Sequence, residues 1–274
     1  MASVLVTGAS RGIGREVALR MAARGWQVHA GVRKAADGES LVDADARIRP
    51  LSLEITDADS IAAAVGQLEQ LDAVVNNAGI VVTGPIEAVS LDDLRHQLEV
   101  NVTGQVAVTQ AVLPLLRASK GRIVMMSSVS GRVPFPLMGA YSASKFALEA
   151  IADSLRMELR PWGIKVAVVE PGSIDTDLWR QAPDTAAATE AGLAPGQREL
   201  YGTQLAGMAK LIPEIQKRTA PVAKVGEAVE HALTATRPRA RYPLGVDARA
   251  QMALRAFLPA PLVDAAFARV VGGR

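Results

Sequence analysis

Thr7-Gly8-Ala9-Ser10-Arg11-Gly12-Ile13-Gly14 follows directly on the apolar run Ser3 to Val6 and opens a stretch of helical spacing from Ile13 to Arg24. A glycine-rich turn has chemical meaning in that setting, between a strand and a helix. Glycine allows positive φ and close backbone approach, and the unpaired N–H groups and dipole at a helix start favour negative charge. Gly8, Ser10, Arg11, Gly12, Ile13 and Gly14 are therefore expected to cradle a pyrophosphate. The spacing is Gly-x-x-x-Gly-x-Gly and not the Gly-x-Gly-x-x-Gly of other dinucleotide folds.

Outward from this turn, short apolar runs recur at Gln27 to Val32, Ile48 to Leu51, Ala73 to Val75, Arg122 to Met126 and Ile164 to Val169. They are continuous and do not alternate, as expected of strands covered by helices on both faces. Segments of helical spacing separate them: Asp57 to Glu69, Leu91 to Arg117 and Tyr141 to Arg160. The βα alternation predicts an α/β fold with a doubly wound parallel sheet, a Rossmann-like three-layer αβα arrangement, in one domain over 1–274. Lys34 to Arg47 leaves little room for a full helix. Residues from about 173 to 223, rich in Ala, Thr, Gln and Gly, read as a mobile substrate lid. A tail from about 246 to 274 reads as an amphipathic helix pair.

Composition removes several functions. The chain has 274 residues and no cysteine, which excludes disulfides, thiolate metal sites and a cysteine nucleophile. His29, His96 and His231 lack metal-site spacing, so no metal is expected. A net charge of +2 is too small for a nucleic-acid field, and the basic run Arg237 to Arg241 reads as a solvated turn. The longest uncharged stretch, Val100 to Leu116, carries Asn101, Thr103, Gln105, Thr109 and Gln110 and reads as a buried helix, not a membrane span. With the first strand starting at Ser3, no removable targeting peptide is expected, and cytoplasmic residence is the default.

The second strand ends Gly31-Val32-Arg33-Lys34, without the carboxylate that usually binds the ribose 2′-hydroxyl of NAD. Arg33 and Arg11 can instead clasp a 2′-phosphate, which makes NADP the expected cofactor, with NAD still usable. Further on, Tyr141-Ser142-Ala143-Ser144-Lys145 sets a phenol and an ammonium four residues apart on one helical face. Positive charge beside the phenol would lower its pKa, and burial would oppose this. Ser128, thirteen residues before Tyr141, can bring a hydroxyl to the same oxygen.

With the Thr7 to Gly14 turn, Asn76-Asn77-Ala78-Gly79, Asn101, Ser128, Tyr141, Lys145 and Pro171-Gly172 in this order, residues 3 to about 176 resemble the short-chain dehydrogenase/reductase family. The resemblance implies an oxidoreductase that moves a hydride between nicotinamide and an alcohol or carbonyl. Tyr141 would carry the proton and Ser128 would polarise the substrate oxygen. Lys145 would hold the nicotinamide ribose and lower the tyrosine pKa, and Asn101 would kink its helix and position a water behind Lys145. It further implies that Asn77, Ala78 and Gly79 line the cofactor, as do Tyr141 and Lys145, and that Pro171, Gly172 and Thr176 lie beside the nicotinamide. Glu54-Ile55-Thr56 stands where the family commonly has aspartate before a Val-Thr-like pair, which places Glu54 and Ile55 on the adenine side.

Between Ser128 and Tyr141 the chain is mostly apolar, and the lid offers Leu178, Trp179, Leu205 and Met208. Such a lining favours a bulky, apolar small molecule, steroid-, retinoid- or lipid-like. The family resemblance and the apolar surface of the two long helices imply a homodimer or homotetramer. A non-catalytic nucleotide-sensing or scaffold protein that kept the fold is the competing reading, and the intact Ser128, Tyr141 and Lys145 argue against it.

Overall fold

A computed structural model of the chain describes residues 1–272; the last two residues of the expected tail lie outside the described residues. Seven parallel strands form one sheet: β1 (Ser3–Thr7), β2 (Gln27–Val32), β3 (Ile48–Ser52), β4 (Ala73–Asn76), β5 (Arg122–Met126), β6 (Lys165–Pro171) and β7 (Arg241–Leu244). Their order is β3-β2-β1-β4-β5-β6-β7. The winding direction reverses between β1 and β4, and in such sheets the carboxyl ends at the reversal form the ligand crevice. The glycine turn after β1 and Asn77-Ala78-Gly79 after β4 both fall there. The two edge strands each contain a proline, Pro50 in β3 and Pro243 in β7.

Two cores sandwich the sheet. On one face Val4, Val6, Val28, Ala30, Val75 and Val124 pack against α1 (Gly12–Ala23), α2 (Ala35–Val42) and α10 (Ala223–Thr234). On the other, Leu5, Val74, Ile123, Met125 and Val168 pack against α3 (Ala58–Val65), α5 (Gly104–Ser119) and α6 (Gly139–Glu158). Each fully buried side chain of the size of Leu5 or Ile123 contributes about 1.5–3 kcal/mol relative to exposure. Alternate residues of one strand thus serve opposite cores, which is why the strands read as unbroken apolar runs. Asp57 caps α3, its carboxylate accepting from the Asp59 and Ser60 amides.

The structure corrects or details four of these readings. The crossover after β2 does hold a helix, α2, two turns long; it buries its own Leu41, and Gly38 lets it press on Pro50, which a Cβ would meet at 2.7 Å. Leu91 to Arg117 is not one helix but α4 (Leu91–Leu98), a π-helical segment (Glu99–Thr103) and α5. Residues 173–223 contain three helices, α7 (Asp177–Arg180), α8 (Ala182–Gly192) and α9 (Pro195–Gln216), with Leu205 and Ile212 of α9 buried. Arg241 does not lie in a solvated turn: it begins β7 and is half-buried among carboxylates. The chain closes with α11 (Val246–Phe257) and α12 (Ala260–Val270). Among the described residues, no helix is long and apolar enough to cross a membrane, and no group of three or more His, Asp or Glu is placed to hold a metal.

Candidate active site

The glycine turn adopts the backbone its composition allows. Gly8 (φ +63°) and Gly12 (φ +54°) are left-handed, and Gly14 sits directly on the Gly8 carbonyl. Arg11 precedes α1 without a side-chain cap, and no acidic residue occupies the first turn. The N–H groups of that turn therefore have no local carboxylate competing for them. This donor set fits a dinucleotide pyrophosphate. Ser10 is half-buried, Arg11 is exposed, and Ile13 packs on the core.

The β4 end is stitched to this turn. Thr7 Oγ1 accepts from the amides of Asn77 and Ala78, both at 2.9 Å, and Asn77 Nδ2 donates to the carbonyls of Thr7 (3.0 Å) and Gly8 (3.2 Å). Gln105 donates to the Ala78 carbonyl, and a Cβ on Gly79 would come within 3.2 Å of Asn101 Oδ1. Sequence reading missed Thr7 and Gln105. A hydroxyl residue at the strand end beside the first glycine was the available signal for Thr7.

At the far ends of β2 and β3, Arg33 faces Glu54 at 3.7 Å. Glu54 also accepts from Thr56 Oγ1 at 3.0 Å, while Ile55 is a core residue whose carbonyl lies against Gly104 of α5. Across the crevice, Thr176 Cγ2 lies 3.6 Å from where a Gly12 Cβ would sit, which joins the segment after β6 to the glycine turn. Pro171 ends β6, and the Gly172 amide donates to Leu244 of β7 at 2.8 Å.

Ser128, Tyr141, Lys145 and Asn101 come together at the carboxyl ends of β4 to β6. Ser128 Oγ donates to the Pro171 carbonyl at 3.4 Å and accepts from the Ser130 amide at 3.1 Å. Tyr141, in the first turn of α6, has its pKa raised by burial, against a smaller opposing hydrogen bond with Ser128. Lys145 is 5% exposed, and its Nζ donates to the Met126 carbonyl at 2.8 Å and stands 5.7 Å from the centre of the Tyr141 ring. Burial lowers its pKa to about 8, with Glu149 acting in the opposite direction. Burial thus wins over the Ser128 hydrogen bond at Tyr141, and the ammonium expected to lower the tyrosine pKa is held on a carbonyl instead of the phenol. That carbonyl belongs to the backbone and has no sequence signature.

Asn101 is fully buried in the π-helical segment. Its Nδ2 donates to the Ile80 carbonyl at 3.0 Å and to Ser144 Oγ at 3.1 Å, and its Oδ1 accepts from the Ile80 amide at 2.9 Å. The extra residue that widens the helix here turns the Asn101 side chain toward α6, a common use of π segments. Ser144 precedes Lys145, so the asparagine reaches the α6 turn that holds the lysine. Together these groups offer a polarising hydroxyl, an ionisable phenol and a buried ammonium beside a cleft with dinucleotide-binding features.

Comparison with known proteins agrees with this geometry. The family model described as short chain dehydrogenase matches residues 2–187. An NADPH-dependent 3-dehydrocapnine reductase of Ornithobacterium rhinotracheale is 36% identical over 88% of this chain and 87% of its own. Human retinol dehydrogenase 5 is 37% identical over 96% of this chain and 87% of its own. A short chain dehydrogenase from Burkholderia cenocepacia, solved in complex with NADP, superposes with a TM-score of 0.75 at 28% identity, covering 98% of this chain and 97% of that one. A fold wound around a glycine turn, with Ser, Tyr and Lys gathered at its mouth, and relatives of this kind identify the chain as a member of the short-chain dehydrogenase/reductase family, an oxidoreductase acting on CH–OH or C=O groups.

Proposed function

We propose that this enzyme is NADP(H)-dependent and interconverts a bulky, apolar alcohol and its carbonyl, with Tyr141 as the proton-transferring residue. The observation that carries the reading is the meeting of the Ser128 and Tyr141 side chains beside the buried Lys145. NADP is favoured by the missing carboxylate at the end of β2, by the exposed cations Arg33 and Lys34 there, and by an NADPH-dependent relative and an NADP-bound neighbour.

When bound, the dinucleotide supplies or takes the hydride. In the reducing direction Tyr141 gives its phenolic proton to the substrate oxygen while Ser128 donates a hydrogen bond to the same atom. Both act on charge that develops at oxygen, so both favour the transition state over the bound substrate. Lys145 would hold the ribose hydroxyls of a bound dinucleotide, and its positive charge beside the phenol would offset the burial that holds the Tyr141 proton. Arg11 and Arg33 would bind the 2′-phosphate, and the first turn of α1 would bind the pyrophosphate through Gly8, Ser10, Gly12, Ile13 and Gly14. Glu54, Ile55, Asn77, Ala78 and Gly79 would line the adenine and ribose side, and Pro171, Gly172 and Thr176 the nicotinamide side.

The apolar substrate reading rests on the segment after Ser128. Val133 is buried, and Phe135 meets Phe267 of α12 edge-on, ring centres 5.0 Å apart, so the tail walls the substrate loop. Residues 173–223 form the lid, pinned to the body by Thr83 with Thr189 at 2.8 Å and by Tyr201 with Glu87 at 2.7 Å. A retinol dehydrogenase among the relatives supports a lipophilic alcohol. Exposed Leu91 on α4, Phe146 and Met157 on α6 and Trp162 in the turn after α6 supply apolar surface suited to a homodimer or homotetramer. The test is a panel of aldehydes, ketones, steroids and retinoids followed by NADPH and NADH absorbance. Turnover of lipophilic members with NADPH is expected. Activity confined to small polar sugars, or equal use of NADH, overturns the corresponding part.

A further inference from the structure

Behind the catalytic residues lies a buried cluster of charge that the chemistry above does not use. Glu149 follows Lys145 by one helical turn on α6, Glu170 is the penultimate residue of β6, just before Pro171, and they are 5% and 1% exposed. Both carboxylates bind the same nitrogen of Arg241, which opens β7: Nη1 donates to Glu149 Oε2 and, at 2.8 Å, to Glu170 Oε1. Its Nη2 donates to Asp153 Oδ2 of α6 at 2.6 Å. Arg132, from the loop that follows Ser128, reaches Glu170 Oε1 at 3.4 Å. Gly131 lies against the same turn of α6: a Cβ there would stand 3.0 Å from both Glu149 Cγ and the Lys145 carbonyl.

Two buried carboxylates repel unless a cation lies between them, and a buried carboxylate stripped of its partner must take a proton or move. Burial and the neighbouring Glu149 push the Glu170 pKa up, while Arg241 and Arg132 pull it down. Arg241 is therefore the bond between elements whose own charges would separate them. The elements it joins carry the reacting groups: α6 bears Tyr141 and Lys145, β6 leads into Pro171-Gly172, and the turn before Arg132 bears Ser128. A guanidinium forks to several oxygens in fixed geometry, which a lysine ammonium does not.

We propose that Arg241 is a positioning residue for hydride transfer, holding α6, the end of β6 and the Ser128 turn in mutual register through Glu149, Glu170 and Asp153. It touches neither substrate nor cofactor. The inference rests on the assignment of Ser128, Tyr141 and Lys145 made above.

The test measures kcat, KM and NADPH binding stoichiometry for Arg241→Met, Arg241→Lys, Glu149→Gln and the double variant R241K/E149Q, with Tyr141→Phe as reference. The carbonyl substrate is the best one of the panel. R241M is expected to bind NADPH at full stoichiometry and lose kcat by about ten- to a hundredfold, the scale of a small misplacement of reacting groups, with KM changed much less. R241K should recover part of that loss, because it keeps the charge without the fork. R241K and E149Q should combine less than additively in kcat, because they break one contact.

A folded R241M with kcat within about twofold of wild type overturns the proposal. If R241M does not fold, the two milder variants decide: additive effects, or none, overturn it equally. Full turnover by Tyr141→Phe removes the catalytic assignment and this inference with it. An inactive Tyr141→Phe beside an unimpaired R241M removes the positioning role alone.

Discussion

The guanidinium of Arg33 and the carboxylate of Glu54 face each other at 3.7 Å across the ends of β2 and β3, the place where a dinucleotide's adenosine ribose is expected. A 2′-phosphate arriving there competes with Glu54 for the same cation. Glu54→Gln should therefore lower KM for NADPH by a few-fold, and Arg33→Ala should raise it by about tenfold while leaving NADH nearly unchanged. Steady-state kinetics with both cofactors check this. An NADPH KM indifferent to Arg33 would move the 2′-phosphate contact elsewhere.

Tyr141→Phe removes one hydroxyl from a half-buried side chain and leaves the glycine turn untouched. Turnover should fall by about 10²–10⁴-fold, the worth of a positioned acid or base, while NADPH still quenches or enhances fluorescence at wild-type concentration. Turnover within a few-fold of wild type would show that another group carries the proton.

Lys145 makes a prediction about stability and pH. Its pKa in the folded chain is lowered from 10.5 to about 8 by burial, so between those values the unfolded chain holds more protons and stability rises with pH. Below pH 8 the folded chain carries the full cost of a buried ammonium, on the order of 3 kcal/mol. Lys145→Met should therefore melt several degrees higher than wild type at pH 7, with the gap closing as pH rises toward 10. Thermal melts without cofactor at a series of pH values measure it. A gap that does not narrow with pH would show that packing, not charge, sets the difference.

Gly8→Ala joins two penalties. The left-handed φ of +63° costs a residue with a Cβ about 1–2 kcal/mol, and that Cβ would stand 2.9 Å from Ala78 Cα. The variant should lose about 2 kcal/mol or more in urea unfolding and bind NADPH weakly. Gly192→Ala is the control, since nothing lies within 4 Å of its Cβ position.

The first six strands were legible as short apolar runs, because most of them feed two cores. The seventh was not. Arg241-Tyr242-Pro243-Leu244 is four residues with a cation and a proline, and it becomes a strand only by pairing with β6. The break at Asn101 was implied by the family resemblance and not by composition, since a π segment keeps the composition of a helix and changes only its winding. Ser128, Tyr141 and Lys145 stood out by type and spacing. Glu149 and Glu170 carried no signal in the sequence, because their burial depends on a partner nearly a hundred residues from the first of them.

Pro50 in β3 and Pro243 in β7 place a residue without an N–H in each outermost strand of the sheet. A strand from another molecule that tried to extend the sheet at either side would meet a gap in the row of donors it needs. The sheet is closed to runaway growth at both ends, so orderly self-association is directed to side-chain surfaces, and a chain that loses either proline gains a sticky margin.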